Sequence, residues 1–388
     1  MSPLALASAV QPAVERTSSR SDTVAVEYGF GSPLAVVSTG IRTTNVRIER
    51  AVGSQLGPHV RVVATVSSWS TTLHSRLHVG SSIGADGECV LELKVDGSVW
   101  DLGMTSAEVV VTLPVHESAA GEHPGIRVSV PNGAIGATML GDMPLRYLDL
   151  RTAHGPAHLS DIAVGTLRLA AHHGNITVHD VCATGAIEIA GQGAWMDIDD
   201  VRAERLTATS SDATISLKDV NAKAIAAATT NARVGLGNVK AGTLEVHTTN
   251  GGVVASCVAA AACNVTTTNG SIEGDWQPTS KLFLVTSNAK IAAQVLLDTA
   301  ETHLEMAFVS KNGPVQVDLP ASFSGGFALE TTGYYKAFVF THPKVKANPV
   351  LYVTKPDKKT GVLNSTGMNH ALKASTEEAP VTVNFGTL

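Results

Sequence analysis

One apolar column constrains this chain more than any other feature: Leu148, Leu167, Ile187, Leu206, Ile225, Leu244, Cys263 and Leu282 recur every 19 or 20 residues. A second column, Ile162, Val181, Val201, Val220, Val239 and Val258, keeps the same rhythm. Just ahead of it runs a polar column, Asp161, Asp180, Asp200, Asp219 and Asn238, closing on Cys257. A turn column reads His154, His173, Gly193, Asp212, Asn231, Asn250, Asn269 and Asn288, each followed by Gly or Ala. A long, regular period is the signature of repeat architecture, where each unit buries its apolar face against its neighbours.

Inside each repeat the apolar spacing is two. In residues 166–181, Leu167 and Leu169 flank Arg168, and Ile176 and Val178 alternate with Asn175, Thr177 and His179. Period two with one apolar face is a strand half-buried against an interior, and it excludes a helix of period 3.6. The segments are joined by Asn-Gly, Asp-Ala or His-Gly, residue types that tolerate positive φ at a tight corner. The chain is therefore expected to be all-β, with residues 133–319 a parallel β-solenoid of coils about nineteen residues long, stacked about 4.8 Å apart. Composition agrees: aromatics are 4% and charged residues 16%, against an apolar fraction of 44% rich in small and β-branched side chains. Such side chains fill a narrow interior.

Outside the array the chain stays β-rich and irregular. Residues 23–27, 45–48, 60–66, 90–95, 108–113 and 126–130 read as strands between Gly, Ser and Pro turns, making 23–132 a sandwich-like cap or a set of degenerate first coils. Residues 1–22 are expected to be disordered. Residues 320–388 read as a terminal β cap and tail: strands at 327–331, 337–340 and 350–353, a polar, turn-rich segment 355–380, and a last strand 381–385 that folds back. An open solenoid end exposes a sheet edge, so a cap is required there.

Repeats such as GTLEVHTTNGGVVAS and LTATSSDATISLKDV follow a rhythm of strand, Thr-Asn-Gly, strand, Asp-Val. In this respect residues 131–319 resemble the putative-adhesin β-solenoid family, a largely uncharacterised domain widespread in bacteria with eukaryotic members. The resemblance implies the solenoid fold and an adhesin-like role, and supplies no catalytic motif.

Function on a solenoid sits on outward columns. Trp195, Asp197 and Asp199 alternate with inward Met196 and Ile198, and the columns set His179 and Lys218 beside Asp199, Asn175 beside Trp195, and Arg233 further along. An exposed Trp beside carboxylates can stack on a pyranose while the carboxylates bond its hydroxyls. Asp197 and Asp199 stand ~6.7 Å apart along a strand, within the range of an inverting glycosidase, with His179 a third catalytic candidate. The bland alternative is a cross-strand charge ladder on a solvated face. His154 and His173 share a column ~4.8 Å apart, close enough to share a metal, but both fill the corner that Asn takes elsewhere. The Asp column reads as capping backbone N–H groups, and the Asn column as an amide ladder buried between coils.

No Gly-rich phosphate loop or nucleophile elbow occurs, no cofactor is implied, and Cys263 fills an inward column as core. The four cysteines have no C-x-x-C spacing. With a net charge of -6 and no basic run, nothing in the sequence suggests a nucleic-acid footprint. No stretch approaches the ~20 apolar residues of a membrane span, and the apolar patch Leu4 to Val10 has no basic residue before it. The expectation is a cytoplasmic, non-enzymatic scaffold or adhesin-like interaction protein that binds a protein or glycan and can self-associate end to end or by its edges. The competing expectation is a lectin or carbohydrate-active enzyme using the Trp195 stripe.

Overall fold

The structure, a computed structural model, describes residues 13–18, 21–29, 33–39, 41–51, 59–68, 77–83, 89–95, 105–114, 125–297, 303–332, 334–342, 349–363 and 370–386. Among them every regular element is a β-strand or an isolated turn, and no helix is long and apolar enough to cross a membrane. Contacts divide the chain into two compact units, Met1–Ala194 and Trp195–Leu388, and the parallel solenoid register runs through each.

In the second unit the first apolar column is a continuous interior ladder. Leu206, Ile225, Leu244, Cys263 and Leu282 pair in register and are all buried. In the first unit Leu148, Leu167 and Ile187 do the same. Pairing between Met196–Ser210 and Ile215–Thr229 skips Asp200 and Glu204, so each coil bends twice between its strand faces. The first bend is where the backbone turns left-handed. Asp161, Asp180, Asp200, Asp219, Asn238 and Cys257 all have φ between 48° and 53° or, for Cys257, 55°.

This corrects the expected division of labour between the corners. The polar column, read as N–H caps, holds the left-handed position, for which Asp and Asn are the favoured residues after Gly. The Asn turn column needs no left-handed residue; where φ is positive in that corner it falls on the following glycine, as at Gly155 and Gly174. A Cβ at Gly251 would stand 1.6 Å from the Ala232 carbonyl oxygen of the adjacent coil, so close approach rather than φ dictates glycine there.

The amide ladder is present but exposed. Asn250 donates Nδ2 to Asn231 Oδ1 at 2.7 Å, Asn269 to Asn250 at 2.7 Å, Asn288 to Asn269 at 2.6 Å and Asn312 to Asn288 at 2.6 Å, all on the solvent side. The buried ladder lies two residues earlier and is built of hydroxyls. Thr267 Oγ1 donates to the Gly251 carbonyl of the adjacent coil at 3.1 Å and accepts from its own Gly270 N–H at 3.1 Å. Thr286 and Ser310 repeat the donation at 3.0 Å. A side chain that closes its own turn while tying down the next coil satisfies two backbone groups that water cannot reach.

Each unit has layers inserted out of sequence order. In the second unit His370–Thr376 and Val381–Phe385 lie between the coil of Leu304–Ser310 and Val315–Leu319 and the layer of Gly325–Thr331 and Ala337–Thr341. Lys358–Leu363 and Val350–Thr354 then close the end antiparallel. The segment 355–380 thus carries two strands, and the last strand is an interior layer. In the first unit Leu34–Thr39 lies between Cys89–Val95 and Gly125–Asn132, and Thr43–Arg50 between Thr105–Leu113 and Ile135–His154. Antiparallel Leu77–Ile83 and His59–Ser68 cover those strands, and Ser21–Gly29 covers the latter. Ala13–Ser18, inside the stretch expected to be disordered, pairs antiparallel with Ser21–Gly29 and so covers its edge. The remainder of that stretch, residues 1–12, 19 and 20, lies outside the described residues.

Candidate functional site

In the second unit the strand Met196–Ser210 presents the stripe as its alternation requires. Met196 and Ile198 are buried, Asp197 and Asp199 are half-buried, and Trp195 is 49% exposed. Asp197 pairs in register with Ser216 and Asp199 with Lys218. The Lys218 ammonium stands 3.6 Å from Asp199 and 3.7 Å from Asp219, so it lies between two carboxylates of adjacent coils. Arg233 is exposed two coils on from Trp195, in the column that passes through Thr214.

The next coil adds something that residue types alone did not single out. Gly235 and Gly237 occupy the outward positions in line with Ser216 and Lys218. A Cβ built at Gly235 meets nothing nearer than the Ile215 carbonyl oxygen at 4.0 Å, and one at Gly237 meets Lys218 Cγ at 3.7 Å and the Leu217 carbonyl oxygen at 3.9 Å. Two missing side chains leave a notch beside the stripe. A planar ring, two carboxylates, a lysine and an arginine around an open notch can stack on an apolar ring face and bond hydroxyls.

The other named residues belong to the first unit. Asn175 and His179 are both exposed there, His179 in register with Ser160. His154 and His173 are brought together as their column requires: their rings stack with centroids 5.1 Å apart and planes 11° from parallel. Among the described residues no group of three or more His, Cys, Asp or Glu side chains is arranged to hold a metal ion. Cys263 is buried in the ladder, where desolvation pushes its thiol up to about 12; Cys182 and Cys257 are exposed.

Two further hollows escaped the sequence reading. One, of about 500 Å³, crosses the other strand face of the second unit, with Ala224 and Ala226 as floor and Arg205, Glu245 and Lys281 around them. The other, of about 310 Å³ in the first unit, follows the row Arg127, Asp149, Arg168, Glu188. Asp149 is 6% exposed and takes a two-pronged contact from Arg151 at 3.0 and 2.9 Å. Their signal was legible as alanine runs and alternating charge, features that are common on ordinary strand faces.

Residues 192–333 match the Toastrack DUF4097 family. This uncharacterised domain agrees with the resemblance drawn from the repeat, and the match begins at the corner before Trp195 and covers less than half of the chain. Among solved structures, a putative cell adhesion protein from Clostridium sporogenes is similar at 10% identity, over 97% of this chain and 100% of that one, with a TM-score of 0.18. Superposition is too poor for that likeness to carry weight. No curated protein matches the chain.

Proposed function

We propose that the protein is a non-enzymatic, adhesin-like interaction scaffold that binds a partner on the outward face of the Toastrack region around Trp195, Lys218 and Arg233. The observation that supports this most is the half-exposed Trp195 ring at the head of a charged stripe with a glycine notch beside it. A rigid solenoid holds these groups on strands locked in register, which suits binding without conformational change. Lys218 against Asp199 occupies one carboxylate with an ion pair, which favours binding over proton transfer.

The ligand class that fits is a glycan, since an exposed aromatic ring can stack on a pyranose while neighbouring polar groups bond its hydroxyls. A carbohydrate-active enzyme is the second reading, favoured by two carboxylates on one strand face at the ~6.7 Å that inversion uses. A glycan array on the full chain, followed by product analysis of each hit, separates the two. Intact glycans are expected, and cleavage would establish the enzyme. Trp195→Ala should lower affinity for a hit at least tenfold at an unchanged melting temperature; unaltered affinity would move the site elsewhere. Asp197→Asn keeps most of a lectin's affinity and abolishes a glycosidase's turnover. The location proposed with this reading is the cytoplasm, which fractionation of the tagged chain checks.

A further inference from the structure

Exposed large hydrophobic side chains are concentrated at one end of the second unit. Of nine among the described residues, seven fall between positions 334 and 352: Tyr334, Tyr335, Phe338, Phe340, Val350, Leu351 and Tyr352. Phe340 is 54% and Tyr352 69% exposed, and the Phe338 and Phe340 rings stack with centroids 6.0 Å apart. These side chains lie on or next to the outermost strands: among the described residues Ala337–Thr341 pairs on one side, with Val381–Phe385, and Val350–Thr354 on one side, with Lys358–Leu363.

The same end is cationic in a chain of net charge -6. In the outer layer, described residues from 325 to 363, Lys336, Lys355, Lys358 and Lys359 stand against Glu330 and Asp357, an excess of 4 - 2 = 2 positive charges, with Glu377 and Glu378 at the turn of the layer beneath. Lys358 pairs with Glu330 at 3.3 Å; Lys336 and Lys355 are exposed. Lysines on an open strand edge are a familiar guard against edge-to-edge pairing. That accounts for Lys336 and Lys355, next to the strands paired on one side, but not for Lys358 and Lys359 on a strand paired on both, nor for seven exposed apolar side chains beside them. A second copy of this end would bring lysines against lysines. A nucleic acid would use the lysines and rings but has no partner for Val350 and Leu351. A lipid surface takes all three: rings settle at the headgroup level, aliphatic side chains just below, and lysines against phosphates. The hydrated headgroup zone also leaves water to the strand edges that have no partner among the described residues.

From this we propose that the C-terminal end of the second unit docks peripherally on an anionic membrane surface. This goes beyond the scaffold reading and uses none of the residues of the Trp195 face, so a membrane-bound protein would present that face away from its anchor point as a separate site.

The test is co-sedimentation of the full chain with phosphatidylcholine vesicles, with and without phosphatidylserine. Binding is expected only when phosphatidylserine is present, and it should weaken as salt is raised. The triple variant Lys336→Gln, Lys355→Gln, Lys359→Gln should lower partitioning roughly 100-fold, about fivefold per lysine. Phe340→Ser with Tyr352→Ser should also lower it, while melting and the Trp195 ligand affinity stay unchanged. No sedimentation with phosphatidylserine vesicles overturns the proposal, as does sedimentation that neither variant reduces. Tighter binding to single-stranded nucleic acid than to the vesicles overturns it in favour of that partner. A dimer in sedimentation equilibrium that Phe340→Ser dissolves overturns it in favour of a second copy. Should the aromatic variant fail to fold, the lysine variant decides, since its side chains add nothing to the core.

Discussion

Within the second unit, the coils between Met196 and Val295 and the layers beyond Leu304 bury similar side chains by opposite routes. The coils stack in chain order, each resting on the one before. Beyond Leu319 the order is broken: residues 370–385 slip under residues 325–341, which precede them in the chain. Yet the same ladders run through both. Leu282, Met306, Leu372 and Phe327 continue one apolar column in space. The hydroxyl ladder also continues, Thr376 Oγ1 donating to the Gly313 carbonyl at 3.2 Å and Thr331 Oγ1 to Ala379 at 3.0 Å. What a layer needs is the right corner chemistry and an apolar stripe, and its place in the chain is secondary. The exposed amide ladder, by contrast, stops with Asn312, because the inserted layer carries Glu377 and Glu378 at its turn. Burial, then, decides which ladder persists.

The strongest way to break this comparison is deletion. Removing residues 233–251, one coil in register, should leave a cooperative folded protein, because a solenoid layer touches only its neighbours. Removing residues 370–388 takes out an interior layer with Leu372, Val381, Val383 and Phe385, and should abolish cooperative thermal unfolding or lower the melting temperature far more. Equal loss from both deletions, read by circular dichroism melts, would mean the end layers are no more than extra coils.

Next in size, Leu244→Ala should cost about 2–5 kcal/mol as a cavity in the ladder, and Leu372→Ala about the same, since both are buried between flanking strands. A much smaller cost at Leu372, measured by denaturant unfolding, would show that the end layer is loosely packed. Smaller again, Thr267→Val should cost about 1–3 kcal/mol by leaving the Gly251 carbonyl and Gly270 N–H unpaired. Asn250→Ala, on the exposed ladder, should cost about 0.5–1 kcal/mol. The reverse ranking would restore the amide column as the main tie between coils.

The smallest effect concerns acid. The Ser271 hydroxyl, with Lys290 at 3.1 Å, holds the Glu273 carboxyl below its ordinary value of 4.5. A folded value below the unfolded one means the contribution is complete above about pH 4.5 and fades as pH falls through the lowered value. Glu273→Gln should therefore narrow its gap to the parent protein as pH drops from 6 toward 3, as followed by urea midpoints at each pH (about 6 and 3 bracketing the carboxylate range). A gap independent of pH would assign the contact no electrostatic role. Because the side chain is over a third exposed, solvent keeps the effect small.

Much of the architecture was legible because a solenoid repeats one local problem. The strands, the inward columns and the two bends follow from period-two alternation and from Asp and Asn at recurring positions, and the stripe of Trp195, Asp197 and Asp199 follows from alternation alone. The corners were legible in kind but misassigned in role: a residue type that tolerates positive φ does not say which of two corners uses it, and only the register of adjacent coils put the left-handed residue at Asp200 and its counterparts. The glycine notch at Gly235 and Gly237 was in the letters as well, but its openness depends on what stands on either side.

The order of the end layers was for tertiary structure to decide. The letters carry a hint, since Ser310-Lys-Asn-Gly-Pro-Val315 and Thr376-Glu-Glu-Ala-Pro-Val381 are the same corner 66 residues apart. A corner motif marks a layer without saying which layer it lies against. Local propensity and periodicity act over one coil of the chain, so the sequence by itself determined what each coil is. Neighbour choice is settled by burying the last open face and edge of the stack, a condition met jointly by segments far apart in the chain.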